Sequence, residues 1–234
     1  MINDIIKIQN VNKTFKETTV LDGVSVVFQE GKTHGLIGRN GSGKTVLLKC
    51  ICGLMYADSG KITVRDKIIG KDVDVAPNVG IIIEAPGFIP SESGYKNLKL
   101  LAGMKKKIGK ERIMDVMGQV GLDPRSPKWV SKYSLGMRQR LGIAQAIMEG
   151  SDILILDEPM NGLDKQGVSD MRQLFLQLKK DNITMIISSH NMEDIEILCD
   201  SVHEMDRGKI STIRTEGVLS TPGENDETVE YNLV

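Results

Sequence analysis

Gly38-Arg39-Asn40-Gly41-Ser42-Gly43-Lys44-Thr45 decides the fold. A glycine, four residues, then Gly-Lys-Thr is the pattern of a phosphate-gripping loop. Its glycines let backbone N–H groups close around phosphate oxygens without Cβ clashes. A helix starting at Lys44 turns its positive end toward the same anion. Lys44 reaches the outer phosphates, and the Thr45 hydroxyl supplies an oxygen ligand for Mg²⁺. Chance alone gives this pattern in roughly one chain in a hundred of this length. The rival is a glycine-rich turn with a stray lysine. It fails on context: Thr33 to Ile37 reads as a strand running into the loop, and Lys44 to Cys52 as a helix leaving it.

Downstream, Ile153-Leu154-Ile155-Leu156 is an apolar strand that ends in Asp157-Glu158. Alone this is weak, because strands often end in acids. Beside a phosphate loop, Asp157 can hold the Mg²⁺ shell. Glu158, one residue on, can point at a water in line with the γ-phosphate. The rival is a pair of solvated acids. Met185 to Ser188 is the next apolar strand, followed by Ser189-His190. A parallel sheet places that strand end at the phosphate-binding edge, where a histidine can donate to the γ-phosphate.

Ile6, Ile8 and Val11, then Val24, Val26 and Phe28, alternate with period two and read as antiparallel strands near the start. Ile62–Val64 and Val79–Ile83 read as further strands. From about Ser93 the spacing turns helical: Leu98, Leu101 and Met104, then Ile113, Val116, Met117 and Val120, then Leu135 to Met148. Asp123-Pro124 and Ser126-Pro127 punctuate that stretch as a loop. Helices at Lys165–Lys180 and Met192–Leu198 alternate with the later strands, and a hairpin turns at Arg207-Gly208. The expected fold is α/β. It has a P-loop NTPase core with a mainly parallel sheet, an N-terminal antiparallel β subdomain, and an inserted helical subdomain at about 88–148. One domain spans 1–234, and the acid-rich Glu216–Val234 stretch is assigned only weakly.

Composition removes other classes. Net charge is −1, without the basic excess of a duplex-binding domain, so no nucleic-acid partner is expected. Cys50, Cys52 and Cys199 are odd in number and lack Cys-x-x-Cys spacing, which argues against a disulfide framework or zinc site and suits a reducing compartment. The first residues, Met1-Ile2-Asn3-Asp4, have no basic or apolar leader, and the longest apolar runs are too short to cross a bilayer. Work at a membrane would require docking to a separate spanning chain. Lys105-Lys106-Lys107 reads as a solvated helix end, with acidic lipid contact as the minor alternative.

Ser134-Leu135-Gly136-Met137-Arg138-Gln139-Arg140 lies between the two phosphate motifs and resembles the signature motif of the ABC ATPases, usually Leu-Ser-Gly-Gly-Gln then Arg/Gln-x-Arg. Tyr133, Leu135 and Met137 depart from it; Ser134 and Gly136 are retained. The resemblance covers essentially the whole chain. It implies an Mg-dependent ATP hydrolase with ATP and Mg²⁺ bound along Gly38–Val46, Thr45 and Asp157 on the metal, and Glu158 and His190 catalytic. It implies that Ser134 and Gly136 bind the γ-phosphate held by an opposite subunit in a head-to-tail dimer. Asn161-Gly162-Leu163-Asp164 resembles the D-loop at that interface, which places Asp164 near the nucleotide. Phe15 stands where an aromatic stacks on adenine, with a core Phe as the alternative. Glu84 replaces the usual Q-loop glutamine as a metal ligand, with a solvated loop acid as the alternative.

Glu84-Ala85-Pro86-Gly87-Phe88, together with the Ser134–Met137 variant, is similar to one branch: bacitracin-resistance and lantibiotic-immunity exporters. The implied protein is a cytoplasmic subunit, peripheral on the inner membrane face through separate transmembrane permease subunits. Alternatives are the ATPase of an importer, a soluble ABC protein not coupled to transport, and a regulator that binds without hydrolysing.

Overall fold

The computed structural model describes residues 3–84, 87–105 and 108–215. Of the expectations above, those on Met1-Ile2, Ala85-Pro86, Lys106-Lys107 and Glu216–Val234 lie outside the described residues.

The chain opens with two long strands, β1 (Asp4–Phe15) and β2 (Thr18–Gln29). The loop-bearing strand β3 (Thr33–Ile37) leads into helix α1 (Lys44–Cys52). β4 (Ser59–Val64), the two-residue β5 (Lys67–Ile68) and β6 (Val79–Ile82) follow. Three helices come next: α2 (Gly94–Lys105), α3 (Lys110–Gln119) and, after a single 3₁₀ turn at Val130–Lys132, α4 (Leu135–Met148). Strand and helix then alternate through β7 (Ile153–Asp157), α5 (Lys165–Lys180), β8 (Thr184–Ser188) and α6 (Met192–Leu198), before the hairpin β9 (Ser201–Asp206) and β10 (Lys209–Thr215).

These strands form two sheets. One is antiparallel with order β2-β1-β4-β5; the other has order β10-β9-β3-β8-β7-β6. In the second, every pair is parallel except β9 with β10. The fold is therefore the expected P-loop α/β architecture with an antiparallel sheet at the start.

Buried parallel strands read as unbroken apolar runs because both faces are covered. β7 shows how. Ile153 and Ile155 face a core made with the antiparallel sheet and α1, while Leu154 and Leu156 face a second core made with α2 to α6. β8 splits likewise, with Ile186 on one side and Met185 and Ile187 on the other. Period two along each strand thus feeds two cores.

α1 is wedged between the sheets. Leu47, Leu48, Cys50, Ile51 and Cys52 are all buried, so its sequence has little polar face. Gly53, at φ 78°, ends it in the left-handed conformation that glycine adopts without Cβ strain. Leu98 on α2 and Ile113, Val116 and Met117 on α3 join the second core. Met104, in the same α2 spacing, is instead 82% exposed: the apolar stripe leaves the core before the helix ends. β6 stops one residue short of the expected Ile83.

Candidate functional site

Parallel packing gathers the carboxyl ends of β3, β7 and β8 on one edge. Each releases a functional segment there: the glycine loop after Ile37, Asp157-Glu158, and Ser188-Ser189-His190. A cleft of about 320 Å³ opens between them, lined by Val20, residues 40–46, Asp157, Glu158 and His190.

The loop's glycines at 38 and 43 pack backbone against neighbouring backbone. Gly38 has φ 143°, and a Cβ there would run into the Met205 carbonyl; a Cβ on Gly43 would stand 2.7 Å from the Val20 carbonyl oxygen. α1 starts at Gly43 with no side chain capping it, unlike α4, α5 and α6, which Ser134, Asp164 and Asn191 cap. Its first amides and the positive end of its dipole are left to the cleft. Lys44 is buried and folds back, donating from Nζ to the carbonyls of Gly38 (2.6 Å) and Arg39 (3.2 Å). Burial lowers its pKa, while nearby Glu158 and Asp157 pull the other way.

The carboxylates are wired to the loop. Thr45 Oγ1 donates to Asp157 Oδ2 at 2.7 Å, and Ser188 Oγ donates to Asp157 Oδ1 at 2.5 Å. The Glu158 N–H donates to the same Ser188 hydroxyl at 2.9 Å. Glu158 Oε1 stands 3.0 Å from His190 Nε2. That contact is at ion-pair distance, and Oε1 is buried. Burial raises the Glu158 carboxyl pKa, opposed chiefly by His190 and assisted by Asp157.

The site suits Mg·ATP. Ser42 Oγ and Glu158 Oε1, both on cleft-lining residues, are buried without hydrogen-bond partners. The glycine loop has no room for Cβ atoms at 38 and 43. Thr45 and Asp157 offer the hard oxygens that Mg²⁺ takes. Among the described residues no group of three or more His, Cys, Asp or Glu could hold a metal by itself. A cation would therefore draw further ligands from phosphate, as Mg²⁺ commonly does.

Other expected site residues lie elsewhere. Gly38 and Arg39 line a neighbouring cleft that shares His190. Phe15, at the end of β1, is 42% exposed with Lys13 Nζ 5.5 Å from its ring centroid. The core reading of Phe15 is thereby overturned, yet Phe15 is not among the residues lining the cleft. Glu84, at φ 60°, accepts from Lys49 Nζ at 2.6 Å and is likewise not a lining residue. Ser134 is exposed, and its Oγ accepts from the Met137 N–H at 3.1 Å. Gly136 packs near the Gly162 carbonyl. Asp164 caps α5, accepting from the Gly167 N–H at 2.8 Å.

Two participants escaped sequence reading. Val20 lines the cleft from β2, which nothing local reveals. Ser188 joins Asp157 to the Glu158 backbone; its signal was a hydroxyl closing the apolar run Met185–Ile187.

A strand–glycine loop–helix with a carboxylate-ending strand in the same parallel sheet defines a P-loop nucleotide-binding protein. The family model for ABC transporters matches residues 21–161, and the chain belongs to that family as an ATP-binding subunit. It is 45% identical to the ABC transporter ATP-binding protein YybJ of Bacillus subtilis, over 89% of this chain and 95% of that one. It is 38% identical to the bacitracin transport ATP-binding protein BcrA of Enterococcus faecalis (88% and 68%). It is 35% identical to the lantibiotic transport ATP-binding protein SrtF of Streptococcus pyogenes (88% and 89%). A dimeric ATP-binding cassette bound to ADP and Pi shares the fold at a TM-score of 0.83 and 21% identity, over 91% of this chain and all of that one. Among the described residues no helix is long and apolar enough to cross a membrane.

Proposed function

We propose that this chain is an Mg-dependent ATP hydrolase that powers export of antimicrobial peptides or drugs through separate transmembrane permease subunits. The observation that carries hydrolysis is one cleft holding a phosphate loop, the Thr45–Asp157 contact and the Glu158 carboxylate beside His190. Bound Mg²⁺ would supply charge neutralisation at the phosphates. Lys44 and the α1 amides hold the phosphates, and Thr45 and Asp157 hold the metal. Glu158 takes a proton from the attacking water. His190 would orient that water or touch the γ-phosphate.

The composite arrangement supports a head-to-tail dimer. Ser134 and Gly136 lie outside their own cleft and start an outward-presented helix. Each would meet the γ-phosphate held by the partner, with Asp164 and its loop at the same interface. Phe15 would stack on adenine from its exposed position, and Glu84 would reach the metal by leaving Lys49. The whole chain, 1–234, acts as one nucleotide-binding unit with a helical insert at about 88–148. Export rests on the transport roles of the bacitracin and lantibiotic relatives; the subunit would lie on the inner membrane face through its permease.

Copurification from native membranes tests this. The expected partner is a polytopic chain, and disrupting either gene should lower resistance to peptide antibiotics. A solute-binding protein in the complex would favour import instead. A partner without membrane spans would favour a soluble role.

A further inference from the structure

Glu158 is held by its backbone in an unusual conformation. Its φ is 49°, in the left-handed region that is strained for a non-glycine residue. Such a conformation persists only where surrounding groups fix it. On one side the Ser188 hydroxyl accepts the Glu158 N–H. On the other, the Glu158 carbonyl accepts from the Asn161 N–H at 3.1 Å and from Gln139 Nε2 at 3.1 Å. Ser188 and Asn161 are local to the strand ends. Gln139 comes from α4, five residues beyond Ser134.

The start of the same helix lies against the loop that follows Glu158. A Cβ on Gly136 would come within 3.1 Å of the Gly162 carbonyl oxygen, and a Cβ on Gly162 would collide with the Leu135 side chain. The helix bearing Ser134 and the turn bearing Glu158 are thus one packed unit, and Gln139 is its polar tie.

We infer that Gln139 is a positioning residue for hydrolysis: its side-chain amide fixes the left-handed Glu158 peptide and so aims the carboxylate into the cleft. The inference rests on Glu158 being the general base. It makes the aim of one chain's base depend on the placement of α4, the helix whose start is offered to the partner's nucleotide. A donor is required, because a carbonyl accepts only. Gln139→Met and Gln139→Glu keep length and helix propensity and remove the donor.

The full chain carries the test. Both variants should keep their thermal midpoint and bind ATP within twofold of wild type, while kcat falls at least fivefold. A misplaced reacting group can cost on the order of 10²-fold. In the nucleotide-free protein, exchange of the Asn161 amide should speed up several-fold. In a Glu158→Gln background, adding Gln139→Met should cost nothing more, since both act through one group. A kcat loss under fivefold in the variants that fold, unchanged Asn161 exchange, or additive losses would each overturn the inference. If Glu158→Gln itself retains wild-type turnover, the assignment of the base has failed; if it is inactive while the Gln139 variants are not, only the role of Gln139 has.

Discussion

α1 and α4 begin in opposite ways, although both carry Ser/Thr and Gly residues that resemble nucleotide-binding motifs. α1 starts uncapped, inside a cleft, behind Gly38 and Gly43, where neighbouring backbone leaves no room for a side chain, with Lys44 buried beside it. α4 starts capped by its own Ser134, with that residue exposed and Leu135 57% exposed. The uncapped donors of α1 face the cleft lined by Asp157, Glu158 and His190. A helix start on an outer surface meets water, and a cap satisfies one of its amides until another surface arrives. The first start lies within a cleft of its own chain; the second lies outside that cleft.

The largest test of that contrast is Glu158→Gln, which keeps shape but cannot accept a proton. Hydrolysis should fall roughly 10²–10⁴-fold. ATP binding should survive and an ATP-bound dimer accumulate on gel filtration. Wild-type turnover would remove Glu158 from the site.

Ser134 comes next, because two roles can be separated there. Ser134→Ala should lower hydrolysis sharply while leaving ATP binding by a single chain intact. It should also cost about 1 kcal/mol in urea unfolding through the lost cap. Ser134→Asp restores the cap but sets an anion against phosphate, so stability should return without activity. If Ser134→Asp hydrolyses ATP normally, Ser134 is a cap and nothing more. Mixing a Ser134 mutant with a Lys44 mutant gives one dimer site with both lesions and one with neither, so partial activity on mixing would establish the shared site.

Glu84 sharpens the boundary between cleft and surroundings. Its ion pair with Lys49 is largely solvated, with the Glu84 side chain 64% exposed. Glu84→Gln should therefore leave nucleotide affinity within about tenfold, roughly 1.4 kcal/mol. The larger loss is expected in partner-dependent transport. If Glu84→Gln and Glu84→Ala match wild type in binding, hydrolysis and transport, the loop has no functional role.

The last effect, on stability alone and not on turnover, lies away from both helix starts. His34 and His203 are buried in one hydrogen-bonded chain running Gln29–His34–Ser201–His203–Thr212, with Phe28 edge-on to both rings. Burial lowers both pKa values, that of His203 to about 4, with His34 adding to the effect. Unfolded, each titrates near 6.5. The unfolded chain therefore binds more protons below that pH, and stability should fall as pH drops from about 6.5 towards 4. His203 alone accounts for about 2 kcal/mol between pH 7 and 5. Urea unfolding at the two pH values checks this, and His203→Gln should flatten the slope. An unchanged slope would mean the ring is not buried neutral.

Legibility in the sequence follows the range of each signal. Period two in Ile6, Ile8 and Val24, Val26 and helical spacing in Ile113, Val116 and Met117 are local, and those elements appear where the spacing puts them. Met104 breaks the rule because exposure is decided by what lies opposite, which spacing does not encode. β5 has only two residues, too few for any period to register.

By itself the sequence determined the strand, loop and helix around residues 33–52, the carboxylate pair after an apolar strand, and the class of chemistry those residue types permit. Local backbone preference and side-chain chemistry suffice for that. Which residues meet was decided by the sheet order β3-β8-β7, which brings Thr45 to Asp157 and lets Ser188 bridge Asp157 and Glu158. The same holds for Lys49 with Glu84, Gln139 with the Glu158 carbonyl, and the His34–His203 chain. Each of these hydrogen-bonded links depends on how distant elements pack. A single polar residue carries no periodicity to announce its partner, so only the folded arrangement names it.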